Sequence, residues 1–152
     1  MSLTSTPLDP VTAQRAVSTA AQRWRVAALV AGDALSFLAF AAAGRQTHNE
    51  AAGLGALGQV AVTALPFALG WFLVSPWLGA FRRTLTIGVQ AMVRRTELAW
   101  LAAWPVTLLL RWGLAGDHRV PLSFAIVILL SNAVFLGLWR GVFAWATRRV
   151  RW

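Results

Sequence analysis

Four long apolar runs, at 24–43, 57–81, 98–114 and 122–146, take up more than half of a 152-residue chain and leave only short connections between them. A helix of about 20 mostly apolar residues crosses a hydrocarbon layer of roughly 30 Å, and the four runs fit that length, the third being somewhat short. A chain crossing lipid must satisfy its backbone polar groups internally, so each run reads as a helix. The expected fold is all-α: a polytopic membrane protein built as a bundle of four transmembrane helices. Residues 1–22 form an N-terminal leader, 23–146 the transmembrane domain, and 147–152 a basic tail. No internal repeat is visible, and the chain reads as one domain.

The connections set the orientation. Arg15, Arg23 and Arg25 precede the first run, and Arg82, Arg83, Arg94 and Arg95 stand against Glu97 between the second and third. Arg148, Arg149 and Arg151 follow the fourth. The other two loops carry one arginine each, Arg45 against Glu50 and Arg119 against Asp117. Basic residues of short-looped membrane proteins stay in the cytoplasm. The expectation is therefore a cell (plasma) membrane protein with both termini cytoplasmic. The net charge of +9 reflects this orientation and an attraction to anionic lipid headgroups, the first expected partner. Nucleic acid is not expected, because the arginines flank apolar runs and build no groove interleaved with aromatics. Charged residues are only 12% of the chain, against roughly a quarter in a soluble domain. There is no cysteine, which excludes thiol catalysis and iron–sulfur clusters.

Local signals refine the picture. The first run imitates a cleaved leader, with Ala41-Ala42-Ala43 at its end. Its length, the central Asp33 and the polar stretch before it argue for an uncleaved span. Asp9-Pro10 reads as the start of a helix that continues into the first run, Asp9 as N-cap and Pro10 at the first helical position. Residues 1–8 read as disordered. Between the second and third runs, Leu85, Val89, Met92 and Val93 recur at helical spacing, which suits a short helix lying on the inner leaflet; Gly88 favours a solvated loop instead. Gly53-Leu54-Gly55-Ala56-Leu57-Gly58 spells a dinucleotide-binding pattern, but no strand precedes it, and flexible outer-loop residues are the simpler account. Pro66 and Pro105 should kink their spans, and Pro76 the inner end of the second. Ala28, Gly32, Ser36, Ala39 and Ala43 form a stripe of small residues suited to close helix packing. Trp24, Trp77, Trp112 and Trp152 read as interface anchors. Trp71, Trp104 and Trp139 lie deeper, in packing or around a ligand.

Polar residues inside the runs are the candidate site. Asp33 lies nine residues past Trp24, roughly 13 Å along a helix. Asn132, ten residues past Leu122, reaches nearly the same depth from the other side, and Thr107 is close to it. A charged group at that depth costs about 2.5–3.5 kcal/mol or more on insertion scales and faces the bundle interior. Asp33 therefore needs protonation, water or a partner. Arg111 and Arg140 are both within about a turn of its height. Arg111 is the favoured inward group because Trp100, Trp104, Thr107 and Arg111 share one stripe. For Arg140, snorkelling to the interface competes evenly.

The run Gly32-Asp33, then Phe40, Gly44-Arg45 and His48, resembles the opening of the family called Domain of Unknown Function 3054. Pro66-Phe67, Gly70, Leu110-Arg111, Ser123-Phe124, Gly137 and Trp139-Arg140 continue the resemblance, over roughly residues 26–141 with the tails and inner loop outside it. It implies a small four-helix membrane protein, and no activity, substrate or cofactor. It also suggests that Asp33, Arg45, His48, Arg111 and Arg140 belong to one shared pattern.

Two functions follow. The preferred one is binding or transport of a proton, an anion or a small polar solute by Asp33 with Arg111 or Arg140, aided by Thr107 and Asn132. The alternative is a non-catalytic accessory or assembly subunit, in a homo-oligomer or larger membrane complex, with Asn132 bonded to Asp33 as a packing device. What separates them is whether Asp33 faces a hydrated cavity or a dry contact. Catalysis is not expected. The only imidazoles, His48 and His118, fall in the outer loops with Glu50 and Asp117, and no ligand spacing there supports a closed metal site.

Overall fold

The computed structural model describes residues 10–46, 54–82, 84, 88–114 and 121–149, with the backbone alone for 10–18, 45–46 and 54–56. Four helices make up the described fold: α1 (Pro10–Gln46), α2 (Leu54–Val74), α3 (Val89–Leu114) and α4 (Leu122–Thr147). Each helix packs on its neighbour in sequence, and α4 returns to pack on α1, so the bundle closes as a ring. Short connections force this antiparallel order. α1, α2 and α4 are each long and apolar enough to cross a membrane. α3 is not, because Arg94, Arg95, Glu97 and Arg111 all lie on it.

Pro10 opens α1, and the helix runs without a break through the first apolar run; Asp9 and residues 1–8 lie outside the described residues. α2 starts at Leu54, so Leu54–Gly58 of the glycine pattern is helical. The expected outer-loop turn there is corrected: nothing in these residues breaks a helix as Pro would, and α2 simply starts earlier. α2 and α3 continue through Pro66 and Pro105.

The second run does not remain helical to residue 81. Pro76 has no amide hydrogen and disfavours helix at the residue before it, so α2 stops at Val74 and residues 75–81 fold into a compact turn. The Ala80 amide donates to the Ser75 carbonyl, and Gly79 takes φ 70°, a conformation costly for a residue with a Cβ. Ser75 and Ala80 are fully buried.

The third helix is longer than its apolar run. Val89–Val93 belong to α3 itself and not to a separate helix on the leaflet; Leu85–Ile87 lie outside the described residues. Met92 is buried with Leu29, Phe143 and Ala144, facing protein. A second, larger core joins Phe37, Phe67, Trp71, Trp100, Ile128 and Leu136.

The polar–apolar arrangement is unusual for a domain in water. Asp33, Ser36, Thr96, Thr107, Asn132 and Arg140 are buried, whereas Leu35, Leu69, Leu73, Leu101, Val134, Leu138 and Val142 are exposed on the outer faces.

Candidate functional site

Asp33 is on the buried face of α1, in the series Arg25, Leu29, Asp33, Phe37, Ala41 that recurs every fourth residue. Arg140 occupies the corresponding stripe of α4 with Asn132, Leu136 and Ala144. The stripes face each other, and the two side chains form an ion pair with no solvent exposure on either partner.

The pairing is bidentate. Arg140 Nε donates to Asp33 Oδ1 at 2.9 Å and Nη2 to Oδ2 at 2.5 Å. Two parallel N–H···O bonds are the geometry that distinguishes arginine from lysine. The remaining Nη1 donates to the Ala80 carbonyl of the buried turn at 2.5 Å. Asp33 Oδ2 accepts a third bond, from Trp71 Nε1 at 2.9 Å. The guanidinium also lies over two rings, with Cζ 5.0 Å from the Trp71 centroid and 4.7 Å from that of Phe81. α1, α2, α4 and the turn after α2 thus converge on one pair of charges. Every nitrogen of the guanidinium and both carboxylate oxygens are bonded to protein.

A second buried arginine holds the same turn. Arg25 is fully buried, and its Nη1 and Nη2 donate to the carbonyls of Phe81 and Arg82 at 2.9 and 2.5 Å. α1 and α4 thus each supply one cation to carbonyls of the segment that follows α2.

The neighbouring residues explain how the helices come so close. A Cβ at Gly32 would overlap the Trp139 indole, so Gly32 lets Trp139 lie on α1 where Asp33 meets Arg140. Gly70, the residue before Trp71, similarly accepts the backbone and hydroxyl of Thr107 from α3.

Other expected members are placed differently. Arg111 is in the last turn of α3 with its guanidinium over the Phe124 ring, 4.5 Å from the centroid, and does not bond to Asp33. The expected inward pairing of Arg111 is corrected to Arg140 because α1 packs against α4 and α2, while α3 lies across the ring. Asn132 does not bond to Asp33 either; its Nδ2 donates to the Ile128 carbonyl of its own helix at 3.1 Å. It precedes Arg140 by two helical turns, roughly 12 Å, and Asp33 is drawn to the Arg140 end. Thr107 is buried against Gly70. The Arg45 side chain and His48, Glu50, Asp117 and His118 lie outside what is described. Among the described residues no group of three metal-ligating side chains forms.

Trp71 as a donor to Asp33 and Arg25 as a carbonyl binder were missed in the sequence. Arg25 carried a usable signal: it lies two turns before Asp33 on the same helical face. Trp100 and Trp104 use their indole N–H groups to clip α3 onto α4, at the Leu129 and Ala125 carbonyls.

The family described as Protein of unknown function (DUF3054) matches residues 30–143. The chain belongs to this family. The matched range spans the α2–α3 connection, which the sequence resemblance had left outside, and contains Asp33, Trp71, Ala80 and Arg140. No curated protein and no solved structure matches the chain.

Proposed function

We propose that the protein is a four-span integral membrane protein of the cell membrane, with both termini cytoplasmic, acting as a non-catalytic accessory or assembly subunit. In this reading Asp33–Arg140 is an intramembrane clamp. The observation that carries it is the zero exposure of both side chains together with complete bonding of their polar atoms. A carboxylate that passes protons or binds a solute needs an open face, and this one has none. The inverted polarity of the bundle supports the membrane: leucines and valines outside, charges inside. Trp24, Trp77 and Trp145 are 74%, 86% and 57% exposed at the arginine-rich end, as an interfacial belt would be. α3, too polar to insert alone, would be carried by the other three helices, its Arg94 and Arg95 reaching the inner interface.

The test is reconstitution in liposomes. The clamp reading expects no proton or anion flux above protein-free vesicles, and a loss of folded protein on Asp33→Asn. A flux that Asp33→Asn abolishes while leaving the fold intact would overturn it. That outcome belongs to the second reading, binding or transport of a proton, an anion or a small polar solute. One observation favours this reading: Thr107 Oγ1, Ser75 Oγ and Asn132 Oδ1 are buried with no hydrogen-bond partner among the described residues, and such oxygens suit a polar path.

A further inference from the structure

We propose that the first turns of α3 hold the phosphate group of an anionic phospholipid. Gln90, Ala91, Arg94, Arg95 and Leu98 line a surface cleft of about 500 Å³. The proposal rests on the membrane reading above and assigns that reading a lipid class and a location.

The charge pattern points to the ligand. Arg25 and Arg140 are spent on carbonyls and Asp33, and Arg148 lies over Trp145. Arg94 and Arg95, in contrast, share one cleft and make no ion pair among the described residues. The acid nearest in sequence, Glu97, is turned toward α4: its Oε1 occupies the space a Cβ would need at Gly137. Two adjacent guanidiniums and the Gln90 amide therefore line the cleft without a counter-charge among the described residues. Guanidinium is the side chain best matched to phosphate oxygens.

The cleft is also amphiphilic along the helix axis. Residues 90, 94 and 98 fall on one face at successive turns. They read amide, guanidinium and leucine, and Leu98 is half exposed. Below it the same side of α3 continues through exposed Leu101 and Ala102. A ligand with an anionic head and an apolar tail matches that order; a free anion would use only its upper half. Such a lipid would also offset the charge that keeps α3, alone of the four helices, from being apolar enough to cross a membrane.

The experiment is lipid retention by the purified full chain in detergent, read by native mass spectrometry after incubation with mixed phosphatidylglycerol and phosphatidylcholine. Selective retention of phosphatidylglycerol is expected. Each arginine near an anionic surface contributes about fivefold, so Arg94→Gln with Arg95→Gln should lower retention roughly 25-fold. Arg148→Gln with Arg149→Gln should leave it within about twofold of wild type if the site is local. Equal losses in the two double variants, or equal retention of both lipids by wild type, would overturn the proposal. Displacement by inorganic phosphate at the affinity of the lipid would assign the cleft to a free anion and overturn the lipid source. Flotation of the wild type with phosphatidylcholine vesicles separates the two layers of inference. Failure to float removes the membrane reading, whereas flotation with unchanged retention in the Arg94/Arg95 variant removes the lipid site alone.

Discussion

Asp33 and Arg140 show how a buried ion pair can be costly to form and still be hard to remove. Taking both charges out of water carries a desolvation penalty that their attraction repays only with good geometry and further hydrogen bonds. Here the bidentate contact, Trp71 Nε1 and the Ala80 carbonyl supply those bonds. Removing one partner strands the other. Asp33→Asn should lower stability by about 3–5 kcal/mol in denaturant titration of the micelle-solubilised protein, because Arg140 is left charged and unpaired. Asp33→Leu combined with Arg140→Met should recover part of that loss, since a packed apolar pair replaces both charges while Trp71 Nε1 and the Ala80 carbonyl lose their partners. If the double variant is as unstable as Asp33→Asn, the pair does more than balance charge. Trp71→Phe keeps an aromatic face for Arg140 and removes one donor, so the same titration should show about 1–3 kcal/mol. Arg140→Lys should fall between, because an ammonium cannot bond both carboxylate oxygens and Ala80 in one plane.

The helices meet where small residues admit large ones. Gly32 receives Trp139, and the next residue on each helix completes the ion pair, so packing and electrostatics at the α1–α4 contact are one arrangement. Gly32→Leu should force the two helices apart and cost about 1–3 kcal/mol from overpacking, more if the ion pair opens. Combining it with Trp139→Ala should give a smaller loss than the sum of the two single changes. Strict additivity in that cycle would mean that Gly32 and Trp139 do not share space. The turn after α2 is held by α1 through Arg25 and by α4 through Arg140, which places three elements on one short segment. Gly79, at φ 70°, lets that segment close; Gly79→Ala should destabilise by about 1 kcal/mol in a thermal scan.

At the scale of the whole molecule the ring α1–α2–α3–α4 puts polar groups inside and leaves apolar side chains outside. That polarity is what the proposed membrane surroundings would favour. If both ends lie on the cytoplasmic face, as proposed above, reporter fusions at the C-terminus and beside Glu50 should mark opposite sides of the membrane. Reports from the same side would remove the four-span topology. α3 gives a second check, since in the proposed topology Arg94, Arg95, Glu97 and Arg111 would make its insertion depend on the others. Expressed alone behind a reporter, α3 should insert far less efficiently than α4.

What could be read from residues in order was one-dimensional: the number and length of the apolar runs, the side on which arginine accumulates, and the presence of a single acid deep in a run. The cost of a charge at that depth also placed Asp33 on an inward face. Its partner could not be read this way. Arg111 and Arg140 had similar heights along their helices, and height follows from counting residues. The choice depended on which helix lies beside α1, and the closure of the ring through α4 decided for Arg140. The burial of Arg25 was hidden for the same reason, because its carbonyl acceptors belong to a turn 56 and 57 residues away. That turn was itself hidden inside an apolar run: hydropathy does not register where Pro76 ends a helix, nor that carbonyls six to eight residues past its end would be taken up by arginines from two other helices.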